Sequence, residues 1–236
     1  MRQCVAICFF LLALASPQCG QGFTLQILHA SDWEACIPAL EDAPRFSAVV
    51  EGLKAQYPSN TVVLSSGDNY ILGPFMNASA DPAASYGGIK GRGDVLILNA
   101  IGVQASAFGN HEFDEGTALI SNLLQSVSTA GYSYPGTAFP YLSANVVFTN
   151  DSYLKTRVVA DGQDAAAISN RIARSCTISV AGETLGIVGA TTPELMSLSS
   201  PGRGIVLLTN GVAEVQAVGH ALTNAGHITY VELDGD

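Results

Sequence analysis

Three hydrophobic stretches of this chain each run into side chains that can offer oxygen to a cation. TLQILHASD ends at Asp32, NTVVLSSGD ends at Asp68, and VQASAFGNHEFD carries Asn110, His111 and Asp114. In an open α/β sheet, successive strands finish at one edge, and ligands bind outside that edge. Each gap between the stretches is long enough for a helix that returns the chain to the same side. The pattern therefore predicts that separate strands deliver Asp32, Asp68 and Asn110 to one place. That expectation restricts the fold to the α/β class.

The rest of the chain is consistent with that class. Residues 24–32 read as a buried strand, followed by an amphipathic helix near Arg45 to Tyr57 and a β-branched strand over Thr61 to Ser65. Asn69 to Gly93 reads as a long loop rich in small residues, of a length usually functional or flexible. It borders the expected site and offers Tyr70, Phe75 and Tyr86 as contacts, or else simply covers it. A helix over Asp94 to Ile101, closed by Gly102, leads to a strand over Val103 to Phe108. A helix over Glu115 to Thr129 and a strand over Tyr141 to Phe148 follow. Beyond Asn150, CTISVAGETLGIVGATTP reads as a hairpin, Asn210 to Asn224 as a helix and His227 to Leu233 as a final strand. Alternating elements followed by a hairpin predict an α/β sandwich with mixed sheets.

The N-terminus does not belong to that core. Arg2, the apolar run VAICFFLLALA and a small, polar zone near Ala15 to Gly22 have the layout of a signal peptide over residues 1–22. An uncleaved anchor needs roughly 18 apolar residues. The expectation is a secreted or periplasmic protein with no membrane span after cleavage. Formal net charge is −10, which repels nucleic-acid backbones and argues against DNA or RNA as partner. A phosphate ester is not excluded, because bound divalent cations reverse the local sign. Cys36 and Cys176 remain after the leader, and they either pair or stay as buried thiols.

Asp32, Asp68 and Asn110 are hard oxygen donors suited to Mg²⁺, Mn²⁺, Ca²⁺ or Zn²⁺. Taken singly, each could instead cap a turn or a helix. His111 is placed to act as a general acid, with Asp114 orienting its ring. His29, inside the first strand, reads as a buried packing group, and His220 and His227 as ordinary surface or packing histidines.

LHASD, SSGDN and GNHEFD resemble the opening motifs of the calcineurin-like metallophosphoesterase superfamily. EDAPRFSAVVEGL, GRGDVLILNAIG and PYLSAN resemble its secreted metallophosphatase and 5′-nucleotidase branch. The resemblance runs from about Thr24 to the end of the chain. It implies a four-layer α/β/β/α sandwich, incomplete at its C-terminus, over residues 23–236, and hydrolysis of phosphate esters such as nucleotides with two divalent metal ions. It also implies that Asp32 binds the first metal, Asp68 bridges, Asn110 binds the second, and His111 with Asp114 forms the catalytic dyad. The family's first motif is usually Asp-x-His, whereas here it reads Asp32-Trp33-Glu34, so Glu34 becomes a candidate ligand through oxygen. The family's later metal-binding histidines have no counterpart in this sequence. A second reading follows from that departure: a module that keeps the fold but binds metal weakly or not at all.

Overall fold

Val62 and Leu64 point into one buried cluster and Val63 into another, because successive side chains of a strand face opposite sides of its sheet. A strand buried on both faces needs a covering layer on each. The computed structural model describes residues 22–33, 39–84 and 86–233. The expected leader, apart from Gly22, lies outside the described residues, as do Glu34 and Cys36.

In chain order the elements begin with β1 (Gln26–Ala30), α1 (Ala39–Lys54), β2 (Thr61–Ser65), α2 (Pro74–Ala78), α3 (Arg92–Ile101), β3 (Ala105–Ala107) and α4 (Thr117–Leu124). Short strands follow: β4 (Val127–Ser128), β5 (Ser133–Tyr134), β6 (Tyr141–Leu142), β7 (Val146–Val147), β8 (Gln163–Asp164) and β9 (Ile172–Ala173). The last group is β10 (Ser175–Val180), β11 (Glu183–Ala190), α5 (Leu195–Leu198), β12 (Val206–Leu207), α6 (Gly211–Asn224) and β13 (Ile228–Leu233).

Among the described residues, one sheet has the order β1-β2-β3-β6-β9 with every pairing parallel. A second runs β13-β11-β10-β8, with β10 and β11 antiparallel and the outer pairs parallel. Val50 of α1, Leu98 of α3 and Ile120 of α4 pack with Val63 on the outer face of the first sheet. On its inner face, Val62, Leu64 and Leu142 meet Cys176, Ile178 and Ile187 of the second sheet. Val218 and Leu222 of α6 close the far side over Val188. The layers are α/β/β/α, as the resemblance implies.

Several local expectations change. α1 begins at Ala39 rather than Arg45 and runs through Pro44, although an interior proline removes one helical hydrogen bond. α4 stops at Leu124, and Val127 leaves the helical spacing to pair with Tyr134 in a short hairpin. The stretch from Tyr141 to Phe148 splits: β6 joins the first sheet, while β7 pairs with β12. The long loop contains α2, and its last residues already belong to α3. Tyr70 is buried in a cluster with Met76, Val95 and Tyr134 and does not border an open site. His29 is exposed rather than buried, its ring edge-on to Tyr230 at 6.4 Å. It lies on β1, which ends its sheet among the described residues.

The start of α3 is buried although it is charged. The Arg92 guanidinium lies over the Tyr134 ring at 4.4 Å and donates from Nη1 to the Tyr86 carbonyl at 2.6 Å. Asp94 is also buried, and neither carboxylate oxygen meets a hydrogen-bond donor within normal geometry. Burial pushes its carboxyl up to about 7, against about 3.9 for an unperturbed aspartate. The folded protein therefore keeps this proton at pH values where the unfolded chain has released it, and stability falls as pH rises through that window. Asp94→Asn removes the ionisation while nearly preserving shape. Its urea stability relative to the parent should rise by roughly 3 kcal/mol between pH 5 and pH 8.5. Equal pH dependence in the two proteins would count against this account.

Candidate metal and catalytic site

β1 and β2 finish in register, Ala30 beside Ser65, and β3 finishes with Ala107 beside Leu142. The chain leaves all of these parallel strands at the same edge, so the following loops meet there. Backbone bonds join them directly. Asp32 N donates to the Gly67 carbonyl at 3.3 Å, Trp33 N to the Asp68 carbonyl at 2.9 Å, and Ser66 N to the Ala30 carbonyl at 3.2 Å. The loops pass so closely that a Cβ on Gly67, where φ is +110°, would sit 2.2 Å from Gly109 N. A Cβ on Gly109 would sit 2.2 Å from Asp68 Oδ1. Neither position has room for a side chain.

Asp32 and Asp68 both adopt left-handed backbone, with φ of 53° and 49°. That conformation is uncommon outside glycine, and strained backbone of this kind gathers at functional sites. The Asp68 side chain is buried, and its Oδ1 accepts from His111 N at 2.8 Å. Asp32 is exposed at the mouth of the same edge. Asn110 is buried, and its Oδ1 accepts no hydrogen bond among the described residues. A buried amide oxygen lacking a donor is a suitable acceptor for a cation. Among the described residues no group of three or more His, Cys, Asp or Glu side chains has metal-binding geometry. The loops that carry Asp32, Asp68 and Asn110 meet at this edge.

His111 opens a short 3₁₀ turn, His111–Phe113, that returns Asp114 toward it. His111 Nδ1 lies 2.6 Å from Asp114 Oδ2, with side chains 26% and 28% exposed, so the pair is open to solvent on one side. The turn carries one residue that sequence reasoning missed. Glu112 has no exposed surface and accepts three backbone N–H groups. Its Oε2 takes those of Asp68 at 3.0 Å and Gly109 at 2.8 Å, and its Oε1 takes that of Asn69 at 2.7 Å. Burial, then the nearby Asp68 carboxylate, push Glu112 up to about 8, and the three N–H groups pull the other way. The motif gave no sign of it, since a glutamate between His111 and Phe113 reads as a solvated neighbour until its burial is seen.

A buried polar relay lies beneath these loops. Trp33 Nε1 donates to Ser65 Oγ at 3.1 Å, and Ser65 Oγ donates to Asn69 Oδ1 at 2.6 Å. Asn69 Nδ2 donates in turn to Ser106 Oγ at 2.8 Å and Tyr141 Oη at 2.9 Å. It ties the first, second, third and fourth strands of the site edge together.

The chain is 30% identical over 228 residues to the 5′-nucleotidase of Diplobatis ommata, covering 91% of this chain and 32% of that protein. It is 29% identical over 231 residues to the trifunctional nucleotide phosphoesterase YfkN of Bacillus subtilis, covering 89% of this chain and 15% of YfkN. The solved 5′-nucleotidase precursor of Thermus thermophilus superimposes with a TM-score of 0.65 at 22% identity, covering 89% of this chain and 37% of that one. The structure of the calcineurin-like phosphoesterase YfkN gives 0.56 at 19% identity, covering 89% and 61%. The chain is homologous to these nucleotide phosphoesterases and has the fold of the calcineurin-like phosphoesterase YfkN. Its homologues include 5′-nucleotidases, and it spans about a third of the length of the Diplobatis relative. No protein-family model matches the chain.

The frame of these loops depends on Glu112. Glu112→Ala leaves three buried N–H groups without an acceptor and should lower unfolding stability by about 3 kcal/mol or more. Glu112→Gln, which keeps one acceptor oxygen, should fall between it and the parent. The amides of Asp68, Asn69 and Gly109 should lose hydrogen-exchange protection together in the alanine variant. Retained protection at all three would show that the frame stands without this side chain.

Proposed function

We propose that this chain carries metal-binding and proton-transfer residues of a secreted phosphoesterase of the 5′-nucleotidase type, acting on nucleotides or related phosphate esters. The observation that carries the reading is the buried oxygen of Asn110, which meets no donor among the described residues, one residue from the His111–Asp114 pair. The names of the relatives, 5′-nucleotidase and nucleotide phosphoesterase, support the substrate class. Residues 1–22 are the proposed leader, and 23–236 belong to the phosphoesterase domain. No helix among the described residues is long and apolar enough to cross a membrane.

Asp32, Asp68 and Asn110 would hold divalent cations, with Glu34 as a further oxygen ligand. When bound, such ions polarise a phosphoryl oxygen and lower the pKa of water. The remaining work falls to the chain. With the ring protonated on both nitrogens, Asp114 holds the Nδ1–H of His111 and leaves Nε2–H to pass its proton to the leaving oxygen, after which the ring remains as the Nδ1–H tautomer. The tight approach of Gly67 and Gly109 holds Asp68 and Asn110 at a set separation, so the donors need little rearrangement on binding.

His111→Ala should lower kcat for AMP hydrolysis in the presence of Mn²⁺ by ~10²- to 10⁴-fold. Calorimetric Mn²⁺ binding should stay near that of the parent. Asn110→Ala should instead weaken Mn²⁺ binding. Parental turnover by His111→Ala would falsify the assignment of the proton donor, and absence of Mn²⁺ binding to the parent would favour the non-catalytic reading.

A further inference from the structure

Asp114 has a second partner that enters from the other sheet. Its Oδ2 meets His111 Nδ1 at 2.6 Å, while its Oδ1 accepts from Ser199 Oγ at 2.8 Å. Ser199 lies 85 residues further along the chain, beyond the end of β11. We propose that Ser199 is a positioning residue for the His111–Asp114 pair, acting through the carboxylate and not on the substrate. The proposal rests on the phosphoesterase reading above.

The path from β11 to Ser199 is fixed at several points. Asn145 holds Thr191 from both sides, accepting from its N–H at 2.9 Å and donating to its carbonyl at 2.7 Å. The Ser143 and Thr191 hydroxyls lie 2.9 Å apart. Leu195 is fully buried in the core under the first sheet's helices. Ser199 N donates to the Leu195 carbonyl at 3.0 Å, in extended backbone with φ −139° that any residue adopts. Pro201 is buried two residues later. The hydroxyl is thus held by anchored chain on both sides.

Asp114 needs such a partner. It sits at the end of a three-residue turn, is partly exposed, and has two side-chain torsions about which its carboxylate can turn away from the imidazole. A donor on Oδ1 commits the second oxygen and fixes the plane of the carboxylate against Nδ1. It also draws charge away from Oδ2, so the proton stays on the histidine ring instead of moving to the acid. Both effects act on ring orientation and tautomer, and neither requires contact with substrate.

The test uses the full chain with Ser199→Ala and Ser199→Thr, and two readouts. With Mn²⁺ and AMP, Ser199→Ala should lose about tenfold in kcat, the scale of one hydrogen bond to a charged group. KM should be unchanged, and Ser199→Thr should keep parental kcat because it keeps the hydroxyl. On the metal-free proteins at a fixed alkaline pH, ring ¹⁵N shifts should report the Nδ1–H tautomer of His111 in the parent and in Ser199→Thr. In Ser199→Ala they should report a mixture of tautomers. Parental tautomer in Ser199→Ala would overturn the proposal, and so would an equal loss in Ser199→Thr, which would mark loop packing as the cause. If the parent hydrolyses no AMP, the phosphoesterase reading fails, and the ring shifts alone decide whether Ser199 positions the pair.

Discussion

A carboxyl group with no exposed surface, Glu112, gathers the N–H groups of Asp68, Asn69 and Gly109, and so ties the loop after β2 to the loop after β3. Those N–H groups lie past the ends of their strands, where no neighbouring strand can accept from them. A buried backbone donor without an acceptor is destabilising by about 1–3 kcal/mol. The left-handed turn at Asp68 has a cost of similar size. Three satisfied donors outweigh one strained residue, which is how the turn persists. The same turn aims Asp68 Oδ1 at His111 N, and the 3₁₀ turn that begins there brings Asp114 to the ring. Placement of the candidate ligands and of the acid–base pair therefore follows from a single buried acceptor.

The two glycines complete that frame by subtraction. Gly67 and Gly109 pass at a distance that excludes a Cβ on either, so the loops stack backbone to backbone. The Asn69 relay then fixes the strands beneath, reaching Ser65, Ser106 and Tyr141. Below it, Tyr70 and the Arg92–Tyr134 stack extend the order into α3, so the segment between β2 and α3 is anchored at both ends and is no free lid.

The placement of Asp32, Asp68, Asn110, His111 and Asp114 along one sheet edge was legible in the sequence, because each sits in a run whose hydrophobic pattern leads to a strand end. Glu112 was hidden by the same motif: an acid between a histidine and a phenylalanine reads as a solvated neighbour, and only burial shows that it points inward. Ser199 had no local signal, since its partner comes from the far side of the sandwich. The longer elements were readable for the reason that α1, β2, α3, β10 and β11 each span several residues of regular period. β6, β7 and β9 are two-residue ladders, and their existence depends on partners distant in sequence, such as Val206 for Val147 and Ile172 for Tyr141. Periodicity over two residues carries no information, so β6 and β7 read as one strand over Tyr141 to Phe148 and β9 did not show at all.

The electrostatics of the edge tie its two tasks together. The chain is acidic throughout, and Asp68 lies close enough to Glu112 to be the second cause, after burial, of its raised pKa. Ionising Glu112 would thus set two carboxylates against each other, a repulsion that its hydrogen bonds only partly offset. Asp32 adds a further carboxylate at the mouth. On the proposed reading, positive charge held at Asp68 and Asn110 relieves that repulsion and gives the Asn110 oxygen the partner it lacks among the described residues. Ligand binding to the folded state alone stabilises it by mass action, so occupation of the site and stability of the loops that build it are one equilibrium. On that reading the buried acid and the unsatisfied amide oxygen, each unfavourable alone, are relieved by the same charge.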